Sequence, residues 1–321
     1  MILLAGEVIT FLCAEAVLLF MLTIALLHVF RILTYWNFDA TTTSQYTLEK
    51  QAYLVGLIIQ AALALKLILL PFFTHTVDRL SALVPGAMCG VGVLNANIYG
   101  SPLLLLKVAI LFFAGLWLLI DREDLKAEDH PHLVTKLRFY LVIYAAVAIE
   151  SLIDWLFLTN ISTLTPVQCC SRIFGVAGEA AGLPLGLDTG TLLVLFYLLF
   201  LLSIAAGLLR YRLIQLIASV GLLLVGYYSV VYFFGTYIYQ LPTHLCPVCM
   251  LQRTYGYVGY WIWGTLLIGT FFAVSGFVLQ NLLGRVPGGV ERWAVAFQTL
   301  FVLTCSLTVG IYYLINGVLL Q

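Results

Sequence analysis

Along most of this chain apolar residues follow one another without the every-second-residue alternation of a half-buried strand, and short polar stretches interrupt them. The runs are about 20 residues long, which is what an α-helix needs to cross a hydrocarbon core about 30 Å thick. A membrane β-barrel would show segments of about 10 residues alternating between apolar and polar, so the pattern excludes one. Eight helices are predicted near 5–34, 51–73, 102–120, 138–160, 190–209, 214–240, 250–280 and 293–319. The expected fold is an all-α bundle of a polytopic integral membrane protein.

Composition supports the same solvent. Hydrophobic residues make up 63% of the 321 and charged residues 9%, against about 25% charged in a soluble domain. The formal net charge is zero, which gives no reason to expect a nucleic-acid partner or a polybasic lipid-binding surface. The N-terminus does not read as a cleavable signal: it lacks a basic region, carries Glu7 and Glu15, and stays apolar to about Leu33, too long for a signal core. It is expected to be the first span.

Connections alternate sides, so 35–50, 121–137, 210–213 and 281–292 share one face. With its helix ends that face holds Arg31, Lys50, Arg122, Lys126, Lys136, Arg138, Arg210, Arg212, Arg285 and Arg292, whereas the other holds Arg79, Arg172 and Arg253. The positive-inside rule then places the first face in the cytoplasm and both termini outside it.

Five of the seven cysteines fall in the three connections assigned to the outside: Cys89 in 74–101, Cys169 and Cys170 in 161–189, Cys246 and Cys249 in 241–249. That side is the oxidising one, where disulfide chemistry operates. Cys13 and Cys305 lie within spans and read as small buried hydrophobes. In each outer connection a proline stands four residues ahead of a cysteine, as Pro85 and Cys89, Pro166 and Cys170, Pro242 and Cys246. The first two cysteines are each followed by a Gly-X-Pro leading into a span, Gly100-Ser101-Pro102 and Gly182-Leu183-Pro184. The pattern suggests a duplicated two-helix unit; ordinary loop punctuation by Pro and Gly is the plainer account.

The sharpest motif is His244-Leu245-Cys246-Pro247-Val248-Cys249-Met250-Leu251-Gln252-Arg253. Two cysteines at this spacing serve a redox pair, half a zinc site or a structural disulfide. Zinc needs two further ligands, and of the five histidines only His244 lies close in sequence, so no metal is expected there. If the seventh helix begins at Cys249, its free N–H groups and dipole stabilise a thiolate. Arg253, one turn on, then adds a positive charge to the same face. The vicinal pair Cys169-Cys170 suits a soft metal ion or one working thiol beside a bystander.

The stretch Cys246-Pro-Val-Cys249-Met-Leu-Gln-Arg253, leading into a helix rich in aromatics and glycine, resembles the quinone-coupled thiol oxidases of the disulfide-bond formation protein B (DsbB) family. The resemblance covers the C-terminal 70 to 100 residues. It implies that Cys249 meets a membrane quinone (ubiquinone or menaquinone), that Cys246 is its disulfide partner, and that Arg253 polarises a quinone carbonyl. It also implies a periplasmic thioredoxin-like partner in a bacterial inner membrane. That family carries a second cysteine loop after the CxxC helix and its successor, and this chain ends at Gln321 without one. A second pair would come from upstream, from Cys89 with Cys170 or Cys169, an arrangement that is similar more loosely to bacterial vitamin K epoxide reductase homologues.

The aromatic set Tyr255, Tyr257, Tyr260, Trp261 and Trp263 suits either a quinone site, with Tyr257 in its lining, or an interfacial belt. Lys66, Lys107, Glu150 and Asp154 fall within spans, where each charge costs about 2.5–3.5 kcal/mol at the centre. They read as a transport pathway or, more plainly, as Lys107 snorkelling outward with Glu150 and Asp154 in buried hydrogen bonds or paired with a lysine. Two regions are expected, 1–212 with five helices and 213–321 with the CxxC. The function expected is a membrane thiol:disulfide oxidoreductase that passes electrons between extracytoplasmic protein thiols and a quinone. The alternative is a transporter or relay for a thiophilic metal or sulfur compound.

Overall fold

In a computed structural model describing residues 2–37, 42–127, 130–167, 187–242, 244–284 and 286–320, eight helical stretches are long and apolar enough to cross a membrane. They are α1 (Gly6–Tyr35), α2 (Thr43–Leu80), α4 (Gly100–Asp124), α5 (Leu133–Thr159), α6 (Thr189–Leu208), the stretch Arg212–Tyr239, α9 (Val258–Leu283) and α10 (Val290–Asn316). Two short helices complete the set: α3 (Gly90–Leu94) between α2 and α4, and α8 (Gly235–Tyr239), which a π-helical turn at Val230–Phe234 joins to α7 (Arg212–Ser229). No strand occurs among the described residues. This is the all-α fold of a multi-pass membrane protein.

Most boundaries lie close to those the hydropathy suggests. α2 is longer at both ends, because Thr43–Lys50 and His75–Leu80 are polar yet helical. The Thr42 side chain accepts the Gln45 N–H at 3.3 Å and caps the start of α2. Its 38 residues rise roughly 57 Å, well beyond the hydrocarbon core.

The chain divides into two units, Met1–Val167 and Gln168–Gln321. α6 therefore falls in the same unit as the CxxC. In unit 1, α1 packs on α2 and α5, and α4 on α2 and α5, around a core that includes Leu22, Ile59, Leu63, Trp117, Tyr140 and Val147. At one end of this bundle Lys136 bonds Asp121 and Asp124, each at 2.7 Å, and a cavity of about 550 Å³ lies beside Trp36, Gln45 and Asp121.

In unit 2, α9 packs on α10 and α7, and α6 on α7 and α10. Lipid offers no hydrophobic drive between helices, so small residues and polar bonds hold such bundles. A Cβ on Gly269 of α9 would stand 2.8 Å from Cγ of Gln298 on α10. The Gln298 amide in turn joins buried Ser203 of α6 and Ser219 of α7, at 2.6 and 2.7 Å. Outside the spans, Asp188 caps α6; bonds from the Thr191 hydroxyl and N–H hold its carboxyl below the usual carboxylate range.

Candidate functional site

The CxxC lies in unit 2 on the connection between α8 and α9. Cys246 and Cys249 are buried, 3% and 4% exposed, with their sulfurs within 4.8 Å of one another. Side-chain bonds from Tyr239 and Trp263 hold the motif. The Tyr239 hydroxyl donates to the carbonyl of Cys246 and accepts the N–H of Met250 at 3.1 Å, so one phenol grips both ends of the motif. The Trp263 indole donates to the carbonyl of Pro247 at 2.9 Å. Around the phenol, His244 packs tilted and Tyr255 edge-on, with ring centroids 4.2 and 4.9 Å from that of Tyr239.

Glycine lets the backbone come this close. A Cβ on Gly259 would lie 2.5 Å from Met250 Cγ and 2.9 Å from the Met250 carbonyl carbon, so the segment after the CxxC rests directly on α9. One on Gly235 would meet the carbonyl of Val230 at 2.6 Å. The π-helical turn before Gly235 sets the rotation of α8, the helix that ends with Tyr239.

The helix start differs from the sequence expectation. α9 begins at Val258, nine residues past Cys249. Between them the chain makes two single 3-10 turns, Cys249–Leu251 and Arg253–Tyr255, separated by Gln252 in extended conformation. Gly256 and Tyr257 then take left-handed conformations, with φ of 63° and 58°. The Gln252 carbonyl accepts the N–H groups of both Tyr255 and Tyr257, at 3.1 and 3.2 Å, which closes this reversal. Cys249 therefore does not head a long helix, and Arg253 is not one α-turn from it on a shared face. The free N–H groups at the start of α9 therefore belong to a turn separate from that of Cys249.

Arg253 and Tyr257, expected at the acceptor site, are both exposed, in contrast with the two sulfurs. Cys89 is fully buried in unit 1, directly before the five-residue α3. Cys169 and Cys170 lie outside the described residues. Of the cysteines read as core, Cys305 is buried, but Cys13 is on the exposed face of α1. Sequence reasoning missed Tyr239, which no spacing rule connects to the motif seven residues on. In the sequence Trp263 is one aromatic among five, with nothing to tie it to Pro247.

A second polar centre lies inside unit 1. Lys107 does not snorkel: its ammonium is buried, 2.7 Å from Glu150 and 2.8 Å from Asp154. Lys66 joins from α2, 2.8 Å from Glu150 and 2.5 Å from Glu15 of α1. Glu15 read only as a mark against a signal peptide, because its partner Lys66 is 51 positions away.

Compared with protein-family models, characterised proteins and solved structures, the chain matches none.

Proposed function

We propose that this protein is a membrane thiol:disulfide oxidoreductase in which Cys246 and Cys249 exchange electrons between extracytoplasmic protein thiols and a membrane quinone. The observation that carries the reading is the built setting of the CxxC: two adjacent sulfurs, excluded from solvent, on a segment held by Tyr239 and Trp263. A redox pair gains from such a grip, because the two sulfurs must stay in register whether bonded or reduced.

The residues nearby suit a quinone. Arg253 offers a guanidinium and Tyr257 a phenol on the exposed side of the turn that follows Cys249. These are donors that could hold carbonyl oxygens, and Trp261 adds an exposed aromatic face. A bound quinone would supply a two-electron, two-proton sink. The protein's share of the chemistry is thiol–disulfide exchange. A donor thiolate attacks one sulfur of a disulfide, the S–S bond breaks, and the released thiolate takes up a proton. A second donor thiol then resolves the mixed disulfide, leaving the donor oxidised by two electrons and the protein as a dithiol. Cys89, with Cys169 or Cys170, is the pair assigned to meet a thioredoxin-like periplasmic partner first. The assigned location is a bacterial inner membrane with both termini and these cysteines outside the cytoplasm.

The test is differential alkylation of purified protein followed by mass spectrometry. After treatment with a dithiol donor, Cys246 and Cys249 should both alkylate; after a further addition of ubiquinone they should be recovered as one disulfide-linked peptide. Cysteines that never alkylate, or that stay reduced with quinone present, contradict the reading. A tag inserted at 242 should be reachable from outside intact cells and one at 127 should not, and the reverse pattern would remove the oxidising location.

A further inference from the structure

We infer that unit 1 contains an intramembrane proton-binding site, in which the carboxylates of Glu15, Glu150 and Asp154 hold one exchangeable proton whose resting place is Asp154. The first ground is charge. α1 contributes Glu15, α2 contributes Lys66, α4 contributes Lys107, and α5 contributes Glu150 and Asp154, all between 0% and 5% exposed. Three acids face two ammonium groups. An uncompensated carboxylate buried in a medium of low polarity costs several kcal/mol, and one proton on the cluster removes that excess charge.

Geometry shows where the proton rests. Glu15 approaches both lysines, Lys66 at 2.5 Å and Lys107 at 3.5 Å. Glu150 also meets both, Lys66 at 2.8 Å and Lys107 at 2.7 Å. Among the described residues Asp154 has Lys107 alone, through Oδ2 at 2.8 Å, and its buried Oδ1 has no hydrogen-bond partner. Asp154 is thus the acid least compensated by cations, and Oδ1 is its oxygen that no hydrogen bond occupies among the described residues. One carboxylate oxygen from each of Glu15, Glu150 and Asp154 lies within 4.8 Å of the other two, so the three acids share one polar centre.

Surroundings decide whether that proton can move. On one side Phe11 and Phe73 press their rings against Lys107, with centroids 4.9 and 4.6 Å from Nζ, and shut water out. Beside Glu15, Lys66, Lys107 and Glu150 there is a space of about 10 Å³, at the lower limit for a single water. One water there can carry a proton between Glu15 and Glu150. Ionisable groups inside membrane bundles are costly and recur along substrate, ion and proton pathways, and buried ion pairs are weak contributors to stability, since apolar residues of similar volume often serve as well. The inference stands apart from the oxidoreductase reading.

The experiment is infrared spectroscopy of the full chain in lipid nanodiscs near neutral pH, reading the C=O stretch of protonated carboxyl groups. The count should equal acids minus lysines in the network. Asp154→Asn should lose one carboxyl's intensity relative to the unmodified protein, and Lys66→Met should gain one. Should Asp154→Asn fail to fold, Glu15→Gln carries the same expected loss, because Asp154 then ionises against the freed lysine. The lost band should shift in D₂O. Spectra unchanged by the acid substitutions would show that all three carboxylates are ionised, and a band inert to D₂O would show a proton that does not exchange. A band that sodium abolishes would show a site for an alkali cation. Each of these three results overturns the proposal.

Discussion

The backbone N–H of Val167 donates to the carbonyl of Pro85 at 2.9 Å, joining within unit 1 Pro85 to the residue that follows Pro166. Gly86 makes the approach possible. Its φ is +79°, and a Cβ there would lie 2.5 Å from the Val167 carbonyl oxygen. Gly86→Ala should therefore destabilise this junction by about 1–3 kcal/mol, from the left-handed conformation and the clash together. Thermal unfolding of the reconstituted protein checks the stability. If Cys89 pairs with Cys169 or Cys170, disulfide mapping should also show that bridge reduced at a lower dithiol concentration than in the unmodified protein.

Tyr239→Phe keeps the ring and removes one hydroxyl. The Cys246 carbonyl and the buried Met250 N–H each lose the partner that the phenol provides. Leaving buried polar groups unsatisfied costs about 1–3 kcal/mol each. Alkylation of the reduced Cys246 and Cys249 should speed up as the segment loosens, whereas Cys305 in α10 should stay as protected as before. Equal acceleration at all three would point to global loosening.

Gly259→Val should act on the same segment from the other side. The new methyls would stand where the Met250 side chain and backbone now rest on α9, and overpacking of this kind costs about 1–3 kcal/mol. The expected result is loss of quinone-dependent disulfide formation with α-helical content retained by circular dichroism. Gly264, whose added Cβ meets nothing within 4 Å, is the control position, and Gly264→Ala should leave both properties unchanged.

Much of the fold could be read from the chain because apolar run length translates directly into spans, and all eight lie near their expected places. Length and hydropathy could not say that the turns after Cys249 interrupt the seventh span. That break depends on the left-handed Tyr257, a conformation no side-chain pattern announces. The two cysteines of the motif were legible as a local spacing. Tyr239 was not, because its role comes from where a π-helical turn rotates it. Glu15 was hidden for another reason: its meaning depends on two lysines that only the folded bundle brings to it.

The central claim is that Cys249 delivers electrons to a quinone. The most direct measurement is the rate of quinol formation when pre-reduced protein in nanodiscs is mixed with ubiquinone, followed by the quinone's ultraviolet absorbance, for the unmodified protein and for Cys249→Ser. Unmodified protein should form one quinol per Cys246–Cys249 disulfide recovered. Cys249→Ser should form quinol no faster than protein-free nanodiscs, with the fold intact by circular dichroism. Quinol formation at the unmodified rate in Cys249→Ser would contradict the account.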